Sequence, residues 1–178
     1  MVIVISGTIA AGKSATARAL ARESERRGKT AAAIDLDLVY EMLEHDGARK
    51  DDDEKWTQAR RAAAALANRF AADGVEVVIV DGEFLTANDR RPFVEALDVR
   101  AEPKFVTLQV SFDEAARRID GDPTRTFSRD LGFLREHYDH AQAAAGDTPA
   151  SELLIDTEGV AIIDVATAIA DWVPTALR

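Results

Sequence analysis

Val2-Ile3-Val4-Ile5-Ser6 runs without a charge into Gly7-Thr8-Ile9-Ala10-Ala11-Gly12-Lys13-Ser14, and the chain then turns amphipathic through Ala17, Leu20, Ala21 and Ser24. An apolar run ending at a glycine reads as a strand buried on both faces. The eight residues after it match G-x-x-x-x-G-K-[ST] at every position. The glycines let the backbone curl so that its N–H groups point inward at a phosphate. The helix that follows aims the positive end of its dipole at the same spot. Gly7, Ala10, Ala11, Gly12, Lys13, Ser14 and Ala15 are therefore expected to cradle a nucleoside triphosphate, ATP or GTP. Lys13 is placed to bridge the β- and γ-phosphates, and the Ser14 hydroxyl to ligate Mg²⁺.

Four further strands are predicted at Thr30–Ile34, Val75–Val80, Lys104–Val110 and Glu152–Ile155. Helical stretches separate them. Trp56, Ala59, Ala63, Leu66 and Phe70 share one helix face; Leu131, Leu134, Tyr138 and Ala141 share a second, and Val160, Ile163, Ala166 and Ile169 a third. Asp113 and Asp130 are the expected N-caps. Strands alternating with helices predict an α/β domain of three αβα layers around a parallel sheet. No repeat, low-complexity linker or change of composition divides the chain, so residues 1–178 read as one domain.

Composition narrows the function. The 178 residues hold 22 Lys+Arg against 32 Asp+Glu, a formal charge of −10. That balance opposes a protein that tracks nucleic-acid phosphates, which needs a basic face. The absence of cysteine excludes disulfides, thiolate catalysis and Cys-ligated metals. No apolar run approaches the roughly 18 residues of a membrane span, and residues 1–6 lack the basic start of a signal peptide. The expectation is a cytoplasmic monomer or homodimer acting on small molecules.

A phosphate loop does not choose the acceptor; transfer to an alcohol needs a group that orients the hydroxyl and takes its proton. Ile34-Asp35-Leu36-Asp37-Leu38 puts two carboxylates at the C-terminal end of the second strand, the sheet edge where ligands of α/β folds bind. Asp37 is assigned as general base. Asp35 is assigned as a water-mediated Mg²⁺ partner or second acceptor contact, with helix N-capping as the alternative for either aspartate. The third strand ends at Asp81, placed to hold Mg²⁺ or its waters. Glu83 and Phe84 follow towards the same site, and Tyr40 is expected to wall it; Trp56 fits the core face of its helix, with a place in the acceptor wall as the alternative. Arg60, Arg61, Arg90 and Arg91 are available to an anionic acceptor or to the solvated surface.

Arg117-Arg118-Ile119-Asp120-Gly121-Asp122-Pro123-Thr124-Arg125-Thr126-Phe127-Ser128-Arg129 reads as an irregular, arginine-bearing lid. Arginines over a transferring phosphoryl group are worth about 10³–10⁵ in rate. Arg125 and Arg129 are assigned that role. Arg117 and Arg118 are expected to mix pairing on a helix surface with contact to the nucleotide, and Arg117 is assigned to the nucleotide site. His45, His137 and His140 lack metal-ligand spacing, and His137 and Tyr138 read as packing or surface groups.

Gly7–Ser14, Asp37, Asp81 and Arg125 together resemble the chloramphenicol phosphotransferase-like branch of P-loop kinases, which is related to shikimate, gluconate and adenylylsulfate kinases. Ile155-Asp156-Thr157 and the helix ending near Trp172-Val173-Pro174 are similar to that family's closing loop and helix. The resemblance implies a sheet of order 2-3-1-4-5, an ATP·Mg²⁺ donor, a catalytic aspartate at Asp37 and a nucleotide base beside the loop that holds Thr157. It also implies a lid at about 117–135 and an acceptor region at about 37–60 and 82–97.

The expected function is a phosphotransferase acting on a hydroxyl of a neutral or cationic acceptor, an antibiotic by similarity to the drug-modifying members. The alternatives are a metabolic kinase for an anionic acceptor (a sugar acid, shikimate or a nucleoside monophosphate) and a nucleotide-binding regulator. Charge ranks them. Residues 35–54 hold nine acids against two bases, a net of −7, whereas 117–135 holds five arginines against three acids, a net of +2. Cations gather where phosphates are expected, and acidity gathers beside the acceptor.

Overall fold

The computed structural model describes residues 1–44, 52–98, 102–122, 129–143, 149–150 and 152–176. In chain order the elements are β1 (Val2–Gly7), α1 (Lys13–Arg26), β2 (Ala31–Asp35), α2 (Leu36–Glu41), α3 (Asp53–Ala72), β3 (Val77–Asp81), α4 (Ala87–Ala96), β4 (Lys104–Gln109), α5 (Phe112–Asp120), α6 (Leu131–Ala143), β5 (Leu153–Asp156) and α7 (Ile162–Ala176). The five strands form one sheet of order β2-β3-β1-β4-β5, and every neighbouring pair is parallel. This is the αβα fold and the strand order expected from the sequence.

Two hydrophobic cores, one on each face of the sheet, follow from the two-residue period of the strands. Ile3 and Ile5 of β1 with Val77 and Ile79 of β3 point to one side, against Leu20 of α1, Ile119 of α5 and Ile169 of α7. Val2, Val4, Val78 and Val80 point to the other, against Tyr40 of α2, Ala63 of α3 and Phe93 of α4. Burying each such aliphatic side chain contributes about 1.5–3 kcal/mol.

Several helix faces sit differently from their sequence patterns. On α3 the buried seam is Ala59, Arg60, Ala63, Ala64 and Ala67, while Leu66 is exposed. Alanines let this helix approach the sheet closely, and the larger apolar residues flank the seam. On α7 the buried set is Val165, Ala166, Ile169, Ala170 and Val173; Val160 and Ile163 lie outside, because the helix begins at Ile162 with its seam rotated towards α1. Leu131 is exposed at the start of α6 while Leu134 is buried. Ser111 caps α5 by accepting from Glu114 N, leaving Asp113 in the first turn. Asp130 does cap α6, accepting from Gly132 N at 2.8 Å and Phe133 N at 3.2 Å. Among the described residues, no helix is long and apolar enough to cross a membrane.

Candidate active site

The loop after β1 is built by backbone conformations that few residues tolerate. Gly7 has φ 146°, and a Cβ there would lie 2.3 Å from the Leu108 carbonyl oxygen of β4. Gly12 caps α1 in the left-handed region at φ 93°. Ala10, at φ 62°, is the one non-glycine residue with positive φ among those described, a strained state of the kind stored at ligand sites. Lys13 Nζ lies across the curl, donating to the Gly7 and Thr8 carbonyls at 2.9 Å each. Ala11 is buried, and Ser14 and Ala15 are half-buried in the first turn of α1.

Strand order divides the surroundings of this loop. On the β3–β2 side, Asp81 is paired in register with Ile5 of β1 and with Asp35 of β2, so both carboxylates leave the sheet at one edge. The Ser14 hydroxyl donates to Asp81, and Asp35, Asp37 and Lys13 all act on it electrostatically. Burial pushes Asp81 up to about 6; Asp35 and Asp37 add to the rise, while Ser14 and Lys13 oppose it. Asp35 caps α2, its Oδ1 accepting from Asp37 N at 3.0 Å and Leu38 N at 3.4 Å. The capping alternative thus holds for Asp35, which remains within the field of Asp81. Asp37 stands half-buried in the first turn of α2.

These groups fit a hydrated Mg²⁺. A buried carboxylate raised by two others, with a serine hydroxyl between it and the phosphate loop, is a donor set that a divalent cation would relieve. Among the described residues, no three acidic or histidine side chains form a metal cage of their own. Mg²⁺ in nucleotide sites takes few protein ligands and keeps phosphate and water.

The predicted acceptor walls divide. Glu83 is half-buried at the mouth of the β3–α4 connection. Phe84 is 0% exposed, its N–H donating to Ser6 Oγ and its ring edge-on to Phe93 and Phe105, so it is core. Tyr40 is likewise buried, stacked on half-buried Trp56 with centroids 4.0 Å apart. Tyr40 and Phe84 therefore back the site and do not form its surface.

The arginines offered to an anionic acceptor are partly committed elsewhere. Arg60 pairs with Asp89 at 2.8 Å and donates to the Glu83 carbonyl at 3.1 Å. Arg90 donates to the Phe84 carbonyl at 3.1 Å and lies over the Phe105 ring. Both are buried, where they pin the β3–α4 connection; Arg61 and Arg91 are exposed.

On the β4–β5 side lies a cavity of about 490 Å³, lined by Ala10, Gly12, Arg117, Arg118, Thr157 and Val160 among others. Its size and its place beside the loop suit a nucleotide base. Arg118 organises it, donating to Ala10 O at 3.1 Å, Thr157 Oγ1 at 3.1 Å and Thr157 O at 2.6 Å. The Thr157 hydroxyl in turn has two acceptors in reach, Gln109 O at 3.0 Å and Ala11 O at 3.2 Å. Arg117 lines the rim, 73% exposed and paired with Glu114. Of the two adjacent arginines, Arg118 makes the contacts to the loop. Thr157 stands where the sequence placed it.

Of the predicted lid, Arg125 lies outside the described residues, as does His45. Arg129 donates to the Asp120 and Asp122 carbonyls at 3.4 Å each, at the C-terminal end of α5. His137 and Tyr138 on α6, read from sequence as packing or surface, instead touch the phosphate loop. Ile9 N donates to His137 Nε2 at 3.3 Å, Thr8 Oγ1 donates to Tyr138 OH at 3.1 Å, and Tyr138 OH donates to Ile9 O at 3.0 Å. Their separation from the loop by some 130 residues left no local signal.

The AAA domain family matches residues 2–129, from β1 to the end of the α5–α6 connection. The chain belongs to the AAA domain family. Solved structures extend the likeness of this AAA domain over the whole chain. An APS kinase from Mycobacterium tuberculosis, in complex with AMPPNP and APS, is 17% identical with a TM-score of 0.66, covering 97% of this chain and 96% of that one. A sugar kinase from Janibacter sp. is 17% identical with a TM-score of 0.63, covering 96% and 94%. A tunicamycin resistance protein from Deinococcus radiodurans is 16% identical with a TM-score of 0.62, covering 97% and 95%. The fold is that of the P-loop kinases. No curated protein matches the chain.

Proposed function

We propose that this chain is a small-molecule O-phosphotransferase, a single cytoplasmic kinase unit over residues 1–178 that moves the γ-phosphate of ATP or GTP to a hydroxyl of a neutral or cationic acceptor. The reading rests on one arrangement: Ser14, Asp81, Asp35 and Asp37 meet on the β2–β3 side of the phosphate loop, while Arg118 and Thr157 frame a base-sized cavity on the other. A nucleotide with its base in that cavity would lay its phosphates along the loop towards the carboxylates.

Ala10, Ala11, Gly12, Lys13, Ser14 and Ala15 hold the triphosphate, with Lys13 exchanging its loop carbonyls for phosphate oxygens. Mg²⁺, held through Ser14 and the waters of Asp81 and Asp35, would neutralise charge on the phosphates. Asp37 orients the acceptor hydroxyl and takes its proton. Arg125 and Arg129 supply cations from the lid at 117–135. The acceptor lies between 37–60 and 82–97, against Glu83 and Trp56.

The commitment of Arg60 and Arg90 to main chain and Asp89 favours acceptors without a negative charge. An antibiotic is the acceptor class we infer, and the likeness to a tunicamycin resistance protein supports it. The test incubates the purified chain with γ-labelled ATP, Mg²⁺ and a panel of antibiotics, sugar acids and nucleotides. Label on a neutral or cationic acceptor is expected. Label only on anionic acceptors, or release only as free phosphate, overturns the reading.

A further inference from the structure

Four contacts join α6 to both halves of the site. Tyr138 OH bridges Thr8 and Ile9, His137 Nε2 takes the Ile9 N–H, and His137 Nδ1 stands 3.8 Å from Glu83 Oε2. Ile9 is the third residue of the phosphate loop, and Glu83 belongs to the acceptor wall. His137 is thus the described side chain that touches the donor loop with one ring nitrogen and approaches the acceptor wall with the other.

We propose that His137 is a positioning residue that sets the phosphate loop against the acceptor wall, with Tyr138 fixing the same helix turn to the loop. The inference rests on the kinase reading above.

The chemistry of the ring defines the arrangement. Accepting from Ile9 N–H leaves the Nε2 lone pair engaged, so the neutral ring carries its proton on Nδ1 and offers it towards Glu83. At 3.8 Å that is an electrostatic contact, longer than a hydrogen bond. The imidazole is half-buried, with side-chain exposure of 11%, so water competes weakly for either nitrogen. Through it, a shift of the acceptor wall is felt at the loop residue adjoining strained Ala10. Positioning of this kind matters because small misplacements of reacting groups cost large factors in rate.

A glutamine separates the two contacts: its side-chain oxygen reaches where Nε2 does, and nothing replaces Nδ1. Binding of AMPPNP·Mg²⁺ by calorimetry and basal ATP hydrolysis, with water as acceptor, are measured on the full chain for wild type, His137→Ala, His137→Gln, Glu83→Gln and the His137→Gln/Glu83→Gln pair. Loss of one backbone hydrogen bond predicts that His137→Ala weakens AMPPNP binding about fivefold. His137→Gln should restore binding to within about twofold of wild type. Its kcat for hydrolysis should still fall as far as that of Glu83→Gln, and the double variant should be no worse than either single one. Equal AMPPNP binding in wild type, His137→Ala and His137→Gln overturns the proposal, as do additive losses in the double variant. Nucleotide binding without any wild-type turnover counts against the kinase reading alone, and the binding series then decides the role of His137. If His137→Ala fails to fold, binding by His137→Gln that is weakened fivefold or more overturns the proposal, and binding within twofold of wild type supports it.

Discussion

Asp35 and Asp81 are register partners at the ends of the adjacent parallel strands β2 and β3. Parallel pairing puts two carboxylates at one sheet edge, and the first turn of α2 brings Asp37 into the same field. Like charges gathered beside a phosphate loop cost stability until a cation joins them, and that cost can be measured.

Asp81 is raised from 3.8 to about 6, first by burial and then by Asp35 and Asp37. A carboxyl raised in the folded state binds its proton more tightly there, so its contribution is fully present below about pH 4 and is lost as pH rises through about 6. A shift of this size corresponds to about 3 kcal/mol. Asp81→Asn should stabilise the nucleotide-free protein at pH 8 by up to that amount and flatten the decline between pH 4 and 8. Urea denaturation across that range checks it; an unchanged slope in the variant would show that another group dominates.

Gly7→Ala places a methyl 2.3 Å from Leu108 O at a φ of 146°. Strain and overpacking together should cost at least about 2 kcal/mol. Thermal melting is the measurement, and nucleotide binding should fall with the loop geometry. A variant that melts with wild type would mean the β1–β4 approach is looser than described.

Arg118 and Arg117 are neighbours with different work. Arg118→Ala removes three donations to Ala10 and Thr157, whereas Arg117→Ala removes an exposed pair with Glu114. Calorimetry with AMPPNP should show a loss of about tenfold or more for Arg118→Ala, from hydrogen bonds of a charged donor. Arg117→Ala should stay within about threefold, as expected for a surface pair. The reverse order would move the base site away from Thr157.

Arg60 is buried with Asp89 and the Glu83 carbonyl as partners, and its Nε has none. Arg60→Ala removes the cation beside Asp89, which keeps its cap bonds from Thr86, and should cost about 1.5–3 kcal/mol. Denaturant unfolding tests this. If Arg60→Ala instead folds with full stability and selectively loses an anionic acceptor, Arg60 belongs to that acceptor.

Much of the fold was legible because the strands are short apolar runs set between longer amphipathic helical stretches. The five observed strands lie within two residues of their predicted boundaries. The phosphate loop was legible because eight consecutive residues carry its whole geometry. Helix faces were less so; α3 buries alanines and an arginine beneath an exposed Leu66, a choice made by the surface it meets. The site divides the same way. Asp35, Asp37, Asp81 and Thr157 end strands or adjoin strand ends, and strand ends can be found in sequence. The sequence reading assigned Arg117 to the nucleotide, whereas the orientation of α5 gives the loop contacts to Arg118; His137 and Tyr138 reach the loop only through tertiary packing. Tyr40 and Phe84 carry the same residue types as an acceptor wall, and only burial separates the two roles.

In the mechanism we propose, Asp37 serves an acceptor hydroxyl at a loop that binds nucleotide without it. The most direct measurement compares wild type and Asp37→Asn for transfer of label from γ-labelled ATP to an accepted compound, with AMPPNP affinity measured in parallel. In Asp37→Asn, transfer should fall by at least about 10²-fold, the lower range for general base catalysis, with AMPPNP affinity within about threefold of wild type, because Asp37 lies beyond the loop that carries binding. Transfer retained by Asp37→Asn at a rate near wild type would contradict it.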